Sequence, residues 1–189
     1  MSYNHGVYVS EVPTQITPPV TAEGFVPVVI GTAPVNLASD PKVNEPVLCY
    51  SYAEAVAALG YSTDYESYTL CEQIYAQFAL FGVAPVVFIN VLDPATHVTS
   101  VTGESATLVD RQVKPANKGV LKDTLVVKNS AGDTTYILGT DYTAAFNDDE
   151  ELVINRIVDG SIASDTADLQ LDYDRLDPSA VTSADVIGG

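Results

Sequence analysis

The side chains that most often carry out acid–base or nucleophilic chemistry are scarce in this chain, which has two histidines and two cysteines in 189 residues. Catalysis of this kind needs a His, a Cys or paired carboxylates held in one pocket. Neither His5 nor His97 has a partner at a motif spacing. Cys49 and Cys71 stand 22 positions apart without a CxxC or HxxxH pattern, and a zinc site needs about four ligands at short spacings. The sequence therefore predicts no catalytic residue, no metal site and no cofactor.

Two further segments could bind ligands, but both are better explained as turns. Residues 31–34 (GTAP) follow an apolar run, where a phosphate-binding loop would lie, but they match neither GxGxxG nor GxxxxGK[ST]. The acidic run at residues 148–151 lacks the spacing of a calcium loop. We therefore expect a tight turn after a strand in the first case and a solvated hairpin turn in the second. Cys49 and Cys71 lie in apolar segments, which favours two buried thiols over a disulfide.

The charge and the distribution of apolar residues argue against two classes of partner. The chain carries 8 basic and 25 acidic residues, for a net charge of −17. Nucleic-acid binding draws much of its affinity from Lys and Arg that neutralise phosphates, so we expect no nucleic-acid partner. The longest apolar stretch, residues 78–92, is interrupted by Gly82 and Pro85, so we expect no membrane insertion. The N-terminus lacks the basic and apolar regions of a signal peptide.

The elements divide the chain into four predicted parts. Residues 1–24 form an extended N-terminal arm that contains a run rich in strand-forming residues. Residues 25–100 form an α/β core region, residues 101–178 an all-β domain of antiparallel sandwich- or barrel-like type, and residues 179–189 the start of a resumed core. The residues of the strand-forming run are Gly6, Val7, Tyr8, Val9, Ser10, Glu11 and Val12.

The α/β pattern is clearest between residues 26 and 91. Residues 26–30 and 47–50 predict short strands, the first of them buried, and residues 85–91 predict a third strand. Ser51 and Glu54 form a capping box for a helix that ends at Gly60. A longer helix is expected over about 67–81, with Thr69 and Glu72 as a second capping box. This order predicts a covered sheet with some parallel pairing.

Beyond residue 105 the pattern is that of strands. Residues 125–127 and 134–137 flank a turn, and residues 142–146 and 152–157 flank the acidic run as a hairpin. Leu169, Leu171 and Tyr173 alternate with polar residues, which indicates a half-buried antiparallel strand. At residues 181–189, Ser183 or Asp185 could cap a new element, so the chain is expected to be cut short there.

Several segments, taken in order, resemble the phage tail sheath family. No single motif decides the resemblance, but the order and spacing extend over nearly the whole chain. Members of this family normally continue well past this length, which implies an N-terminal portion; a naturally short protein is the alternative. The similar segments are residues 6–13 for the arm, 26–34 for the first core strand, 85–91 for the strand after the long helix, 139–143 and 152–154 for the hairpin, and 181–189 for the return to the core.

The resemblance implies a structural subunit of a contractile tail sheath and no enzyme. Such a subunit forms a helical homo-oligomer around the tail tube and contracts to drive the tube through the host envelope. Residues 6–12 would be the inter-subunit arm, and the missing C-terminal core would contact tail tube and baseplate proteins. The location would be the virion tail, assembled in the host cytoplasm.

Two alternatives from other classes stay open. One is a small α/β ligand-binding or enzymatic domain with a β appendage, which a pocket with convergent polar groups would support. The other is a β-rich surface adhesin module, which a secretion signal or an exposed aromatic platform would favour.

Overall fold

The structure, a computed structural model, describes residues 24–187, so the arm residues Gly6 to Val12 lie outside the described part. The α-helices in this part are α1 (Tyr52–Leu59), α2 (Thr69–Ile74) and α3 (Ser183–Ile187), and a π-helix, Tyr75–Leu80, continues α2. Short 3₁₀ helices lie at Val35–Leu37, Lys122–Thr124 and Pro178–Ala180. None of them combines the length and the apolar character that crossing a lipid bilayer requires. The strands are β1 (Val28–Gly31), β2 (Pro46–Cys49), β3 (Val86–Asn90), β4 (Val98–Thr107), β5 (Gln112–Val113), β6 (Val126–Asn129), β7 (Tyr142–Phe146), β8 (Leu152–Arg156) and β9 (Asp168–Leu176).

The first sheet has the strand order β1-β3-β2, with β1 parallel and β2 antiparallel to the central strand. The chain passes through β2, α1 and α2 before it reaches β3. Phe88 of β3, Leu59 of α1 and Ile74 of α2 are fully buried in one apolar cluster between the sheet and the helices. The predicted order of elements and the predicted parallel pairing are therefore confirmed.

Both ends of α1 agree with the prediction. The Ser51 hydroxyl oxygen accepts a hydrogen bond from the Glu54 N–H at 3.3 Å, and the Glu54 carboxylate accepts one from the Tyr50 N–H at 2.7 Å. The first bond satisfies a donor that the first turn of a helix leaves unpaired, and the second ties Glu54 to the residue before the cap. Gly60 follows the helix with a φ of 74°, and a β-carbon there would collide with the Pro34 carbonyl oxygen. The helix end therefore requires glycine.

The second predicted capping box, Thr69 with Glu72, is wrong. Thr69 is the first residue of α2, and the preceding Tyr68 makes no side-chain capping bond. The Thr69 hydroxyl oxygen accepts a hydrogen bond from the Thr32 N–H at 3.1 Å, and the Thr69 N–H donates to the Thr32 hydroxyl oxygen at 3.1 Å. This pair ties the start of α2 to the loop after β1, which sequence spacing alone could not indicate.

The region after β3 contains two three-stranded antiparallel sheets, β4-β9-β6 and β5-β8-β7. The predicted hairpin is confirmed, since β7 pairs with β8 and the acidic run forms the turn. The predicted alternation in β9 is confirmed as well, because Leu169, Leu171 and Tyr173 are buried. Side chains from both sheets share one apolar cluster, but the strands of residues 24–187 close into no barrel. The structure thus has mixed α/β content with small antiparallel sheets, as the predicted fold class requires.

The predicted strand at residues 134–137 is wrong, since these residues form only an isolated bridge. Thr135 makes an isolated bridge to Lys128, and the Tyr136 N–H donates to the Val127 carbonyl oxygen at 2.8 Å. The pairing ends after Tyr136, and the next N–H, that of Ile137, donates to the Asp141 carboxylate at 2.7 Å.

The chain after β9 enters a helix, as the pattern at residues 181–189 indicates. The N–H and the hydroxyl group of Thr182 both donate to Asp185 Oδ2 at 2.7 Å, and α3 begins at Ser183. The side chain that caps the start of α3 is therefore Asp185, one of the two predicted residues, whereas Ser183 is the first residue of the helix.

Asp141 fixes the loops on either side of the β7–β8 hairpin. Its side chain is buried, and its two carboxylate oxygens accept the Ile137 N–H and the Ser161 N–H, each at 2.7 Å. These two backbone donors stabilise the ionised form and hold the pKa of Asp141 below its usual value. A depressed pKa contributes stability above the unfolded-state pKa, and that contribution is lost as the pH falls through the folded-state pKa.

We expect Asp141→Asn to lower the free energy of unfolding at pH 7, because an amide can offer only one acceptor to the two backbone donors. The difference from the parent should shrink as the pH falls below about 4, because the carboxylate takes up a proton there in the unfolded parent and at lower pH in the folded parent. Urea unfolding at pH 7 and at about pH 2.5 measures this. Asp148→Asn, at an exposed turn position, is the control and should show no such trend. An equal loss at both pH values would contradict the role of the carboxylate charge.

Candidate interaction surface

His97 holds a turn in place. Its ring nitrogen Nδ1 accepts a hydrogen bond from the Asp93 N–H at 3.0 Å, and Nε2 lies 3.6 Å from the Asp185 carboxylate. The side chain is 10% exposed, so it links the turn after β3 to α3 rather than facing an open cleft. His5 lies outside the described residues.

Both cysteines are free thiols with no exposed surface, as predicted. Burial raises the pKa of the Cys71 thiol to about 11 and also raises the pKa of Cys49. The nucleophilic and metal-binding form of cysteine is the thiolate, so these thiols are poorly suited to either chemistry. The Cys71 sulfur accepts a hydrogen bond from the Ser62 N–H at 3.4 Å.

The loop after β1 uses its donors internally. The Thr32 N–H donates to Thr69, the Thr32 hydroxyl donates to the Ser67 carbonyl oxygen at 2.8 Å, and the Ala33 N–H donates to Asn90 Oδ1 at 3.0 Å. A phosphate-binding loop would point these N–H groups at its ligand. The loop is instead a tight turn, as expected from its sequence.

In the acidic turn, two side chains are exposed to solvent and two make contacts within the protein. Asp148 and Asp149 are exposed, whereas Glu151 accepts a hydrogen bond from Lys114 Nζ at 2.6 Å. Glu150 contacts Ser62, which lies between α1 and α2. Across residues 24–187, no group of three or more His, Cys, Asp or Glu side chains is placed to hold a metal ion.

The sheet face that points away from α1 and α2 is apolar and exposed. Val28 and Ile30 of β1 are 60% and 43% exposed, and Leu48 of β2 is 48% exposed. The strand register places Val28 and Leu48 on either side of Val87, so the apolar side chains are continuous across three strands. We call this surface the open sheet face; it comprises Val28, Ile30, Pro46, Leu48, Val87 and Ile89.

The open sheet face corrects the prediction that residues 26–30 form a buried strand. β1 is an edge strand of the sheet, and only one of its faces packs on the helices. The sequence of β1 is apolar at every position before Gly31, so it gave no signal of which face would be covered. The edges of β1 and β2 that face away from β3 pair with no strand of residues 24–187.

Exposed apolar patches and unpaired sheet edges are typical of surfaces that pack against another polypeptide. The chain is similar to the tail sheath protein of Burkholderia phage BcepMu, with 33% identity over 189 residues. The similarity covers 99% of this chain but 37% of the relative, so the chain spans little more than a third of that protein's length. No protein-family profile matches the chain, and no solved structure matches it.

The predicted family resemblance is therefore confirmed. The chain is similar over nearly all of its own length to one bacteriophage tail sheath protein.

We expect substitutions on the open sheet face to cost the isolated chain little stability. Val28→Thr keeps a β-branched residue at an exposed position, so the free energy of unfolding should fall by less than about 0.5 kcal/mol. Val86→Thr makes the same change on the covered face of the same sheet, where Val86 is fully buried, and should cost about 1–3 kcal/mol. Urea unfolding compares the two variants. Equal losses would mean that the face is covered in solution.

Proposed function

We propose that this chain is part of a structural subunit of a contractile tail sheath. In this proposal, subunits assemble helically around the tail tube, and their contraction drives the tube through the host envelope. The open sheet face carries the proposal, because an apolar surface that spans three strands is stabilised by contact with another chain. Similarity to a tail sheath protein supports the same role.

The arm residues Gly6 to Val12 are proposed to link neighbouring subunits by adding a strand to a neighbour's sheet. In such β-augmentation, main-chain hydrogen bonds supply the linkage. The composition of the arm and the unpaired edges of β1 and β2 support this idea. A head-to-tail contact that does not close on itself generates a helical tube. During contraction the subunits would move mostly as rigid bodies while the arms keep them connected.

The proposal also covers the partners of the subunit, its location and the division of the chain into domains. Tail tube and baseplate proteins would bind through parts of the sheath protein that lie beyond this chain, which spans 37% of its relative. The subunit would be made and assembled in the host cytoplasm and end in the virion tail. An arm at 1–24, a core over 25–100 and an inserted β-domain over 101–178 remain our proposed division. The role requires no catalytic step.

Electron microscopy of the complete gene product tests the class of function. We expect tubes or stacked rings, because subunits that share a head-to-tail contact propagate it without limit or until a ring closes. A product that stays monomeric at high concentration, with the arm intact, would argue against a sheath subunit.

Proline substitutions test the arm. Placing Pro at Val7, Tyr8 or Val9 in turn removes one potential ladder donor each time, so at least one variant should block tube formation. The melting temperature of the monomer should stay nearly unchanged, because the arm is proposed to pair with another copy. Ser2→Pro, outside the strand-forming run, is the matched control and should leave tubes intact. A much lower melting temperature of the monomer would instead place the arm in its own core.

A further inference from the structure

The tip of the β7–β8 hairpin docks on the connection between α1 and α2 through one carboxylate. Glu150 Oε2 accepts a hydrogen bond from the Ser62 hydroxyl at 2.6 Å, and Oε1 lies 3.4 Å from the Thr63 nitrogen as a weaker acceptor. The two sides of this contact are 88 positions apart in the chain. It therefore joins the antiparallel sheets to the region that carries the first sheet.

The backbone at Glu150 is unfavourable for glutamate. The Glu150 N–H donates to the Asn147 carbonyl oxygen at 3.1 Å and closes the turn, and Glu150 itself has a φ of 65°. Glycine and asparagine adopt this left-handed conformation more readily than other residues do. Strained backbone of this kind persists where its surroundings hold it and often marks a functional position. Here the side-chain contact with Ser62 is the interaction that a glycine would lose.

The receiving side of the contact is rigid. Ser62 is 1% exposed, its N–H donates to the Cys71 sulfur, and its hydroxyl oxygen accepts the Asp64 N–H at 3.0 Å. Its hydroxyl proton is thus directed at Glu150. A second bond, from Lys118 Nζ to the Asp149 carbonyl oxygen at 2.7 Å, also restrains the hairpin tip.

A cavity of about 210 Å³ with a mixed polar and apolar lining lies next to the contact. Its lining includes Asp64, Tyr68, Glu150 and Arg175. Burial, together with the carboxylates of Asp64 and Glu150, raises the pKa of Tyr68 to about 12, so the phenol stays neutral. Because this space beside Glu150 is empty of side chains, close packing does not fix the hairpin tip there. The carboxylate bond has that role.

Apolar packing between the two regions occurs nearby, in a separate cluster. Leu176 at the end of β9 is buried with Val35, Tyr68 and Leu92, and Leu121 packs against them. We call this set the junction cluster. A packed apolar contact can act as a pivot, whereas a single hydrogen-bonded contact at a hairpin tip can open without exposing a core.

We propose that Glu150 is a releasable clasp that sets the orientation of the antiparallel sheets relative to the first sheet, with the junction cluster as the pivot. The clasp goes beyond the proposed sheath function and does not depend on it. Releasing the clasp would let the β7–β8 hairpin move away from the α1–α2 connection while both hydrophobic cores stay intact.

The test measures the distance between one spin label on α2 and one on β7. Glu72→Cys and Thr143→Cys are both at exposed positions, and the fully buried Cys49 and Cys71 stay unlabelled. The parent should give one narrow distance distribution. Glu150→Asn and Glu150→Gly accept the left-handed backbone but cannot reach Ser62, so each should give a broader distribution at a nearly unchanged unfolding midpoint.

A control variant and a variant of the hydrogen-bond donor test whether the effect depends on the contact between Glu150 and Ser62. Asp148→Asn removes a charge from the same turn without removing the contact and should keep the narrow distribution. Ser62→Ala removes the donor on the other side, so it should broaden the distribution as Glu150→Asn does, and the double variant should broaden it no further. Hydrogen exchange at the Thr63 amide should become faster by about tenfold in every variant that removes the contact between Glu150 and Ser62. Distributions and exchange rates that match the parent in both Glu150→Asn and Ser62→Ala would overturn the clasp.

Discussion

The central strand of the first sheet has apolar side chains on both of its faces, and much of the structure follows from this. Phe88 points into the cluster with α1 and α2, while Val87 and Ile89 point to the opposite side. A strand of this composition is stable when both faces are covered. Residues 24–187 cover one face, because α1 and α2 both pack on the same side. The other face therefore stays exposed as an apolar surface, and another polypeptide can cover it.

The antiparallel sheets depend on a different kind of interaction. Their apolar cluster is contributed by both sheets, but buried or half-buried polar side chains fix the loops around it. Asp141 binds two loop N–H groups, and the Arg156 guanidinium donates to the Ile162 carbonyl oxygen and to Asp165. Such bonds are directional and local, so the region is ordered without large helices. Its position relative to the first sheet then rests on the junction cluster and on the contact between Glu150 and Ser62.

Local rules predicted those features of the fold that depend on neighbouring residues. The Ser51 cap, the β7–β8 hairpin and the alternation in β9 each arise within a few positions of the chain, so their patterns could be interpreted correctly. Features that join distant segments could not be predicted in this way. Thr69 bonds to Thr32 rather than capping its own helix, and nothing near Glu150 in the sequence indicates a partner 88 positions away. The exposure of β1 could not be predicted either, because it depends on which side of the sheet α1 and α2 occupy.

The polar groups that first suggested chemistry have structural partners instead. The His97 ring accepts a backbone N–H, the Cys71 sulfur accepts another, and the loop at Thr32 and Ala33 donates its N–H groups to Thr69 and Asn90. A group that already satisfies a buried donor or acceptor would have to break that bond before it could bind a ligand, and an unsatisfied buried group costs about 1–3 kcal/mol. Within residues 24–187, the open sheet face is a surface without such internal partners, and it has apolar side chains rather than polar ones. Binding there would gain free energy from the removal of water, and would favour a partner with a complementary apolar surface over a small polar ligand.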